Sequence, residues 1–319
     1  MISVVIRVII GVVPLIAIVG PTGTGKSDLA LDIALVLGNC EIINADAFSQ
    51  YRGMDIGTAK VMPAERRSIP HHLIDNLDPR DISTIADYQV AGRTALSDII
   101  ARGKQPIIVG GSGLYVRALL DELELPGTDA IVRAKLQRRL ETEGITGIVE
   151  ELQRKDPVAA TKIGPLNARR IIRALEVIEL TGNPYTASLP TEKYQYQTIA
   201  IGLDYDRQIL AERIATRVQR MREQGLLAEV TRLADAGQGG MGAGLGPTAV
   251  RAIGYAELLP VLAGQQSEDA SFDQIAAHTR QLTRKQRGWF GRDPRVTWLD
   301  AAYPGLLENA LTIINAGVP

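Results

Sequence analysis

The 319-residue chain is poor in cysteine: Cys40 is the only one, so no internal disulfide framework can form, and a reduced, cytoplasmic setting fits. Cys40 stands just before an apolar run and reads as a small buried hydrophobe rather than a nucleophile. Histidine is also scarce, at three residues, two of which are the neighbours His71 and His72. Neighbours along a strand point to opposite faces, so the pair reads as structural rather than metal-binding. No charge of one sign dominates. Lys and Arg number 35 against 36 Asp and Glu, a net charge of −1, so any nucleic-acid binding has to come from local basic patches. Residues 2–19 are almost all apolar, yet no small-x-small cleavage pattern separates them from the glycine-rich stretch after residue 19. Their last part reads as a core strand, not as a signal peptide or membrane span. Internal repeats are absent.

What is present is concentrated in residues 20–27, Gly20-Pro21-Thr22-Gly23-Thr24-Gly25-Lys26-Ser27. This is a G-x-x-x-x-G-K-[ST] phosphate-binding loop in the context the motif requires: a short buried strand at 15–19 runs in, and a helix at 26–37 runs out. The glycines let backbone N–H groups face a phosphate chain at the positive end of a helix dipole. Lys26 supplies a mobile cation, and the Ser27 hydroxyl can ligate Mg²⁺. The loop by itself suits ATP or any other polyphosphate.

Further strands are expected at 41–45, 106–109 and 198–203, with a possible last strand at 295–299. Helices are expected from Ser83 or Thr84 to about Arg102, then, after the run Gly110–Tyr115 opens from the strand, through Leu120, and at about 206–224, 226–236, 248–262 and 272–290. This alternation defines an α/β, P-loop NTPase-like parallel sheet flanked by helices. Residues 46–60 lack periodicity and form a polar loop at a strand's C-terminal end, where open α/β sheets place ligands. Helical patterns broken by Pro and Gly fill the middle of the chain. The expected division is a core of 1–122 and 198–319 and a small helical insertion of 123–197. A Gly-rich loop is expected at 237–246.

Three features carry chemistry. The strand 106–109 ends in Gly110-Gly111-Ser112 and lacks the carboxylate that holds Mg²⁺ in most P-loop enzymes, which argues against a plain ATPase, GTPase or kinase. The strand 41–45 does end in a carboxylate, Asp46, readable as a metal ligand, a strand cap or, the favoured reading, a general base. Two arginine faces complete the set. Arg169, Arg170 and Arg173 share one, while Ile171 and Ile172 serve the interior; Arg280, Arg284 and Arg287 recur at i, i+4 and i+7 beside Lys285 and Trp289. Each alone suits a solvated surface; together they favour contact with a phosphate backbone.

These residues carry a resemblance to a known family. The phosphate loop, Asn44-Ala45-Asp46-Ala47, Tyr51-Arg-Gly-Met-Asp-Ile-Gly-Thr-Ala-Lys60, Gly110-Gly-Ser-Gly-Leu-Tyr115, Arg170-Ile-Ile-Arg-Ala-Leu-Glu176, Ile253-Gly-Tyr255 and Thr279-Arg-Gln-Leu282 are similar to the tRNA dimethylallyltransferases, over about residues 15–300. The resemblance implies transfer of a dimethylallyl group from dimethylallyl diphosphate to N6 of adenine 37, in the anticodon stem-loop of tRNAs that read codons beginning with U. Asp46 would be the general base. Lys26 and Arg117 would stabilise the departing diphosphate, Ser112 would flank the reacting centre, and Ser27 would bind Mg²⁺. Contacts to tRNA would come from Asp46, Ala47, Phe48, Ser49, Arg169, Arg170, Ile171, Ile172, Arg173, Arg251, Gly254, Tyr255, Arg284, Lys285, Gln286, Arg287 and Trp289. A cytoplasmic monomer with no membrane partner is the expectation. The run Phe48-Ser49-Gln50 departs from the family pattern, so Gln50 receives no role. Competing readings are a transferase acting on free adenine nucleotides, a small-molecule kinase, and an RNA-binding module without catalysis.

Overall fold

The computed structural model describes residues 14–123, 125–185, 193–235 and 244–317. Residues 1–13 and most of the Gly-rich loop, 237–243, lie outside them. The chain forms two compact units, one drawn from residues 1–120 and 194–319, the other from residues 121–193.

The larger unit is built on a six-stranded sheet: β1 (Leu15–Val19), β2 (Cys40–Asn44), β3 (His71–His72), β4 (Gln105–Gly110), β5 (Thr198–Asp204) and β6 (Val296–Asp300), in the order β3-β2-β4-β1-β5-β6. All pairings are parallel, with Ile16 opposite Ile107 and Ile199, and Val19 opposite Gly110 and Gly202. β1 and β2 are buried along their whole length, which is why they read as continuous apolar runs rather than alternating ones. Helix α1 (Lys26–Leu37) follows β1; its Leu29, Ala30 and Ile33 join Ile16, Ile18, Ile107 and Ile201 in one core cluster. Helix α2 (Ile85–Ala101) starts where Thr84 accepts a hydrogen bond from the Asp87 amide, and α3 (Gly113–Leu120) follows β4. Cys40 is buried, and burial pushes its thiol up to about 12, so it stays an inert, protonated core residue. His72 Nε2 bonds Glu41 and His71 Nδ1 bonds the Ile69 carbonyl, each a structural contact.

The smaller unit is helical: α4 (Ala130–Lys155), bent at Gly144 where φ is +72°, α5 (Pro157–Ile163) and α6 (Ala168–Thr181). Leu136, Ile148, Leu152, Ile171, Ile172 and Leu175 form its core.

The rest of the larger unit is α7 (Arg207–Glu223), α8 (Leu226–Asp235), α9 (Tyr255–Leu262), α10 (Glu268–Phe290) and α11 (Leu306–Ala316). Two differences from expectation have local causes. Instead of one helix over 248–262 there is a 3₁₀ turn at Ala249–Arg251 and then α9, because Gly254 takes φ +99° and breaks the helix. Helix α10 begins four residues early, at Glu268, where Ser267 accepts from the Ala270 amide. Among the described residues no helix is long and apolar enough to cross a membrane.

Candidate active site

The phosphate loop owes its curl to glycine. Gly20 has φ +131°, and a methyl group there would stand 2.3 Å from the Leu203 carbonyl oxygen of β5, so only glycine lets β1 turn so close to its neighbour. Gly25, at φ +83°, launches α1 from the left-handed region. Thr24 is buried and donates to the Pro21 carbonyl (2.9 Å), and Lys26 Nζ donates to the same oxygen (2.5 Å). Burial, then the repulsion of Arg217, pulls Lys26 down from 10.5 to about 7, against an opposing pull from Asp46.

A cleft of about 1380 Å³ opens over this loop, lined among others by Lys26, Ser27, Asp46, Ser49, Arg213, Arg217 and Arg220. The three arginines come from α7, expected only as a helix. Arg217 reaches the Thr58 carbonyl (3.5 Å), and Arg213 donates to the Gly23 carbonyl (3.0 Å) while lying over the Tyr205 ring. Their spacing of i, i+4 and i+7 is the same signal that singled out Arg280, Arg284 and Arg287, and it could have been found on the same grounds.

Asp46 is both a cap and an open carboxylate. Its Oδ1 accepts from the amides of Phe48 (2.9 Å) and Ser49 (3.2 Å) and from the Ser49 hydroxyl (3.4 Å). Its Oδ2 accepts nothing from the described residues, and the carboxylate is close enough to Lys26 and Arg217 to act on both electrostatically. Asn44 pins the turn by accepting from the Asp46 amide and donating to the Leu73 carbonyl. β2 and β4 approach closely here; a methyl group on Gly110 would fall 2.3 Å from the Ala45 carbonyl oxygen.

The aperiodic segment 51–60 is not a free polar loop. Its Tyr51 and Met54 are buried in the core formed by α7, α8 and α9. Its backbone is held by Glu229, which accepts from the amides of Asp55 (3.0 Å), Ile56 (2.9 Å) and Gly57 (3.3 Å) and from the Tyr255 hydroxyl (2.5 Å). Burial, reinforced by Glu229, raises the Tyr255 phenol far above its ordinary value. Lys60, almost out of water, donates to the Tyr51 carbonyl, Asp55 and Asp75. The specific Tyr51–Lys60 run thus encodes a wall of the cleft.

The expected RNA contacts divide accordingly. Arg169, Arg170, Arg251, Arg284, Lys285 and Trp289 are exposed, and Ala47 and Phe48 are half-buried. Ser49 is buried but lines the cleft. The others are turned inward or already engaged within the chain. Ile171 and Ile172 lie in the core of the smaller unit, and Gly254 and Tyr255 are buried under the segment 51–60. Arg173 is spent on Glu176 and on the Pro126 and Gly127 carbonyls. Arg287 forms a two-pronged pair with Asp204 (2.5 and 2.6 Å). Gln286 is buried against the phosphate loop. Gln50, 2 % exposed, donates to the Ala47 carbonyl inside its own loop. Ser112 accepts from the Tyr115 and Val116 amides at the start of α3; neither it nor Arg117 is on the cleft lining, and Arg117 acts on Asp293.

A G-x-x-x-x-G-K-[ST] loop on a parallel sheet, with a carboxylate and several cations around one cleft, gives a P-loop NTPase-like fold with a candidate anion-binding cleft. The model of the family described as IPP transferase matches residues 49–293, and the chain belongs to that family of prenyl-transferring enzymes. Curated relatives named tRNA dimethylallyltransferase include those of Paenarthrobacter aurescens (49% identical; 95% of this chain, 96% of that one) and Bifidobacterium longum (48%; 94% and 90%). Among solved structures, the full-length tRNA isopentenylpyrophosphate transferase from Bacillus halodurans is similar at 36% identity and a TM-score of 0.69, covering 95% of each chain. A eukaryotic dimethylallyltransferase described as acting on tRNA is similar at 28% identity and a TM-score of 0.80, covering 94% of this chain and 76% of that one.

Proposed function

We propose that this chain transfers a dimethylallyl group from dimethylallyl diphosphate to N6 of adenine 37 in tRNAs reading codons that begin with U, giving N6-(dimethylallyl)adenosine. In this reading it acts as a cytoplasmic monomer. The observation that carries the proposal is the open Oδ2 of Asp46 beside a phosphate loop bearing Lys26 and faced by Arg217. An exocyclic adenine amine is a weak nucleophile that must lose a proton as the new N–C bond forms. Asp46 Oδ2 accepts that proton, the C1–O bond to the diphosphate breaks, and the leaving group departs into the cradle of loop amides, Lys26 and Arg217. Adenine 37 is flipped from the anticodon stack to reach the carboxylate. Ser112 and Arg117 enter as further candidates beside the donor, on the resemblance alone. The solvent-facing Arg169, Arg170, Arg251, Arg284 and Lys285, with Trp289, are the proposed tRNA contacts.

The residues present fit a Mg²⁺ ion that arrives with the diphosphate. Ser27 offers a hard oxygen on the cleft lining, and no group of three or more His, Cys, Asp or Glu side chains suited to a metal exists among the described residues. An ion held by one hydroxyl, the diphosphate and waters matches the habit of Mg²⁺, and it would supply neutralising charge to the leaving group.

Asp46→Asn tests the mechanism, because Asn keeps Oδ1 as acceptor for the Phe48 and Ser49 amides and removes the base, together with the negative charge that acts on Lys26 and Arg217. Single-turnover transfer with saturating substrates is expected to fall by on the order of 10²–10⁴, with both substrate affinities nearly unchanged. A loss below about tenfold would mean that the proton leaves by another route.

A further inference from the structure

Gln286 is 7 % exposed in the last turns of α10, and both ends of its amide are used. Its Oε1 accepts from the Thr22 backbone amide (2.9 Å), and its Nε2 donates to the Gly111 carbonyl (3.0 Å). The two loops it joins follow β1 and β4, the strands that floor the cleft. The Thr22 amide belongs to the same planar peptide as the Pro21 carbonyl, and in a trans peptide the two point opposite ways. Gln286 therefore holds one side of a peptide whose other side accepts from Lys26 Nζ and Thr24 Oγ1. Its grip sets where Lys26 rests before a phosphate arrives, and the chained bonds polarise one another. There is no slack: a methyl group on Gly111 would stand 2.5 Å from Gln286 Nε2.

The same stretch of α10 is anchored on either side. Arg287 grips Asp204 at the end of β5, and the Trp289 indole lies against Gly113 at the start of α3. Arg284 and Lys285, next to Gln286 in sequence, are exposed.

We infer that Gln286 is a positioning residue that ties the exposed basic face of α10 to the phosphate loop, so that RNA on that face and a diphosphate in the loop bind cooperatively. This rests on the proposed function for the identity of the RNA. A load on Arg284 and Lys285 biases α10, and Gln286 passes the bias to the Pro21–Thr22 peptide and so to Lys26.

The test is a binding cycle. The affinity for inorganic diphosphate is measured with and without a synthetic anticodon stem-loop, for the unaltered chain, Gln286→Met, Gln286→Glu and Arg284→Glu/Lys285→Glu. Gln286→Met keeps the length and loses both hydrogen bonds. Gln286→Glu keeps the acceptor for Thr22 and places a carboxylate oxygen against the Gly111 carbonyl. Thermal unfolding confirms that each variant is folded. The unaltered chain should bind diphosphate at least about fivefold more tightly in the presence of RNA, the lower end of ordinary coupling between two sites. In Gln286→Met that enhancement should drop below twofold and diphosphate affinity alone should fall by about tenfold, as expected for the removal of two hydrogen bonds of modest net strength. RNA affinity alone should hold. Gln286→Glu should lose the enhancement as well, whereas Arg284→Glu/Lys285→Glu should lose RNA affinity and leave diphosphate affinity alone. Enhancement surviving in Gln286→Met, or a loss confined to RNA affinity, would overturn the inference. An unaltered chain that binds diphosphate but no stem-loop would instead overturn the proposed function.

Discussion

The proposed binding of a diphosphate should be a proton-coupled event at Lys26. Its ammonium is pulled from 10.5 to about 7, first by burial and then by Arg217. At about 1.4 kcal/mol per unit, keeping it charged there costs roughly 5 kcal/mol at most. The sign follows directly: a lysine depressed in the folded chain is less protonated than in the unfolded chain between about 7 and 10.5, so folding stability should rise with pH across that window. A diphosphate reverses the balance by placing several negative charges against the ammonium. At pH 8 the chain alone should hold about one Lys26 proton in ten molecules and the diphosphate complex nearly one each, so binding should draw in close to one proton, and about half of one at pH 7. A prenyl diphosphate has lost its last proton by pH 8, if it titrates near pH 6 like a phosphate monoester, and so contributes little. Calorimetric titration of a non-reacting prenyl diphosphate analogue at pH 8, in buffers of different ionisation enthalpy, reads the uptake as a slope. Lys26→Ala should flatten that slope and weaken binding. Uptake below about 0.2 proton in the unaltered chain would refute the reasoning, because Lys26 would then be fully charged before the ligand arrives.

Other expectations follow from the same geometry. Glu229→Ala strips the Asp55, Ile56 and Gly57 amides of their acceptor and should lower stability by about 3–5 kcal/mol in urea titrations, against about 1.5–3 kcal/mol for Tyr255→Phe, which removes one bond to the same carboxylate. Gly110→Ala should push the Ala45–Asp46 peptide away from β4 and displace the Asp46 carboxylate, costing about 1–3 kcal/mol and most of the turnover. Reversing Arg169, Arg170 and Lys285 to Glu should weaken tRNA binding and lower its log–log salt slope by about 0.7–0.9 for each phosphate that is no longer neutralised. Reversing Arg173 or Arg287 should chiefly destabilise the fold, since each serves an internal carboxylate, Glu176 or Asp204.

Much of this was legible in the residues because the signals were local. The phosphate loop, the buried apolar strands and the Thr84 cap all follow from short-range chemistry, and Asp46 stood out as a carboxylate ending a core strand. What sequence reasoning missed was tertiary. Glu229 and Tyr255 meet residues 55–57 only once α8 and α9 pack on that segment, and nothing near them announces three backbone amides awaiting an acceptor. Arg217 reached the phosphate site because α7 follows β5, the strand beside β1; its spacing with Arg213 and Arg220 was visible but had no target until the sheet order was known. Gln286 sat inside a basic run and took on its neighbours' expected role, although its helix phase turns it toward the loop while Arg284 and Lys285 face water. Helix α11 escaped notice although Leu306, Leu307, Ala310, Ile313 and Ile314 repeat at helical spacing against the core.

The central claim is the transfer itself, and the location of a label tests it most directly. The chain is incubated with dimethylallyl diphosphate labelled in the prenyl group and with tRNA from cells lacking the modification, and the tRNA is then digested to nucleosides. The label should appear as N6-(dimethylallyl)adenosine, at adenine 37, in tRNAs reading codons that begin with U. Label released as free prenyl alcohol, or found on free adenine nucleotides while tRNA stays unlabelled, would contradict it.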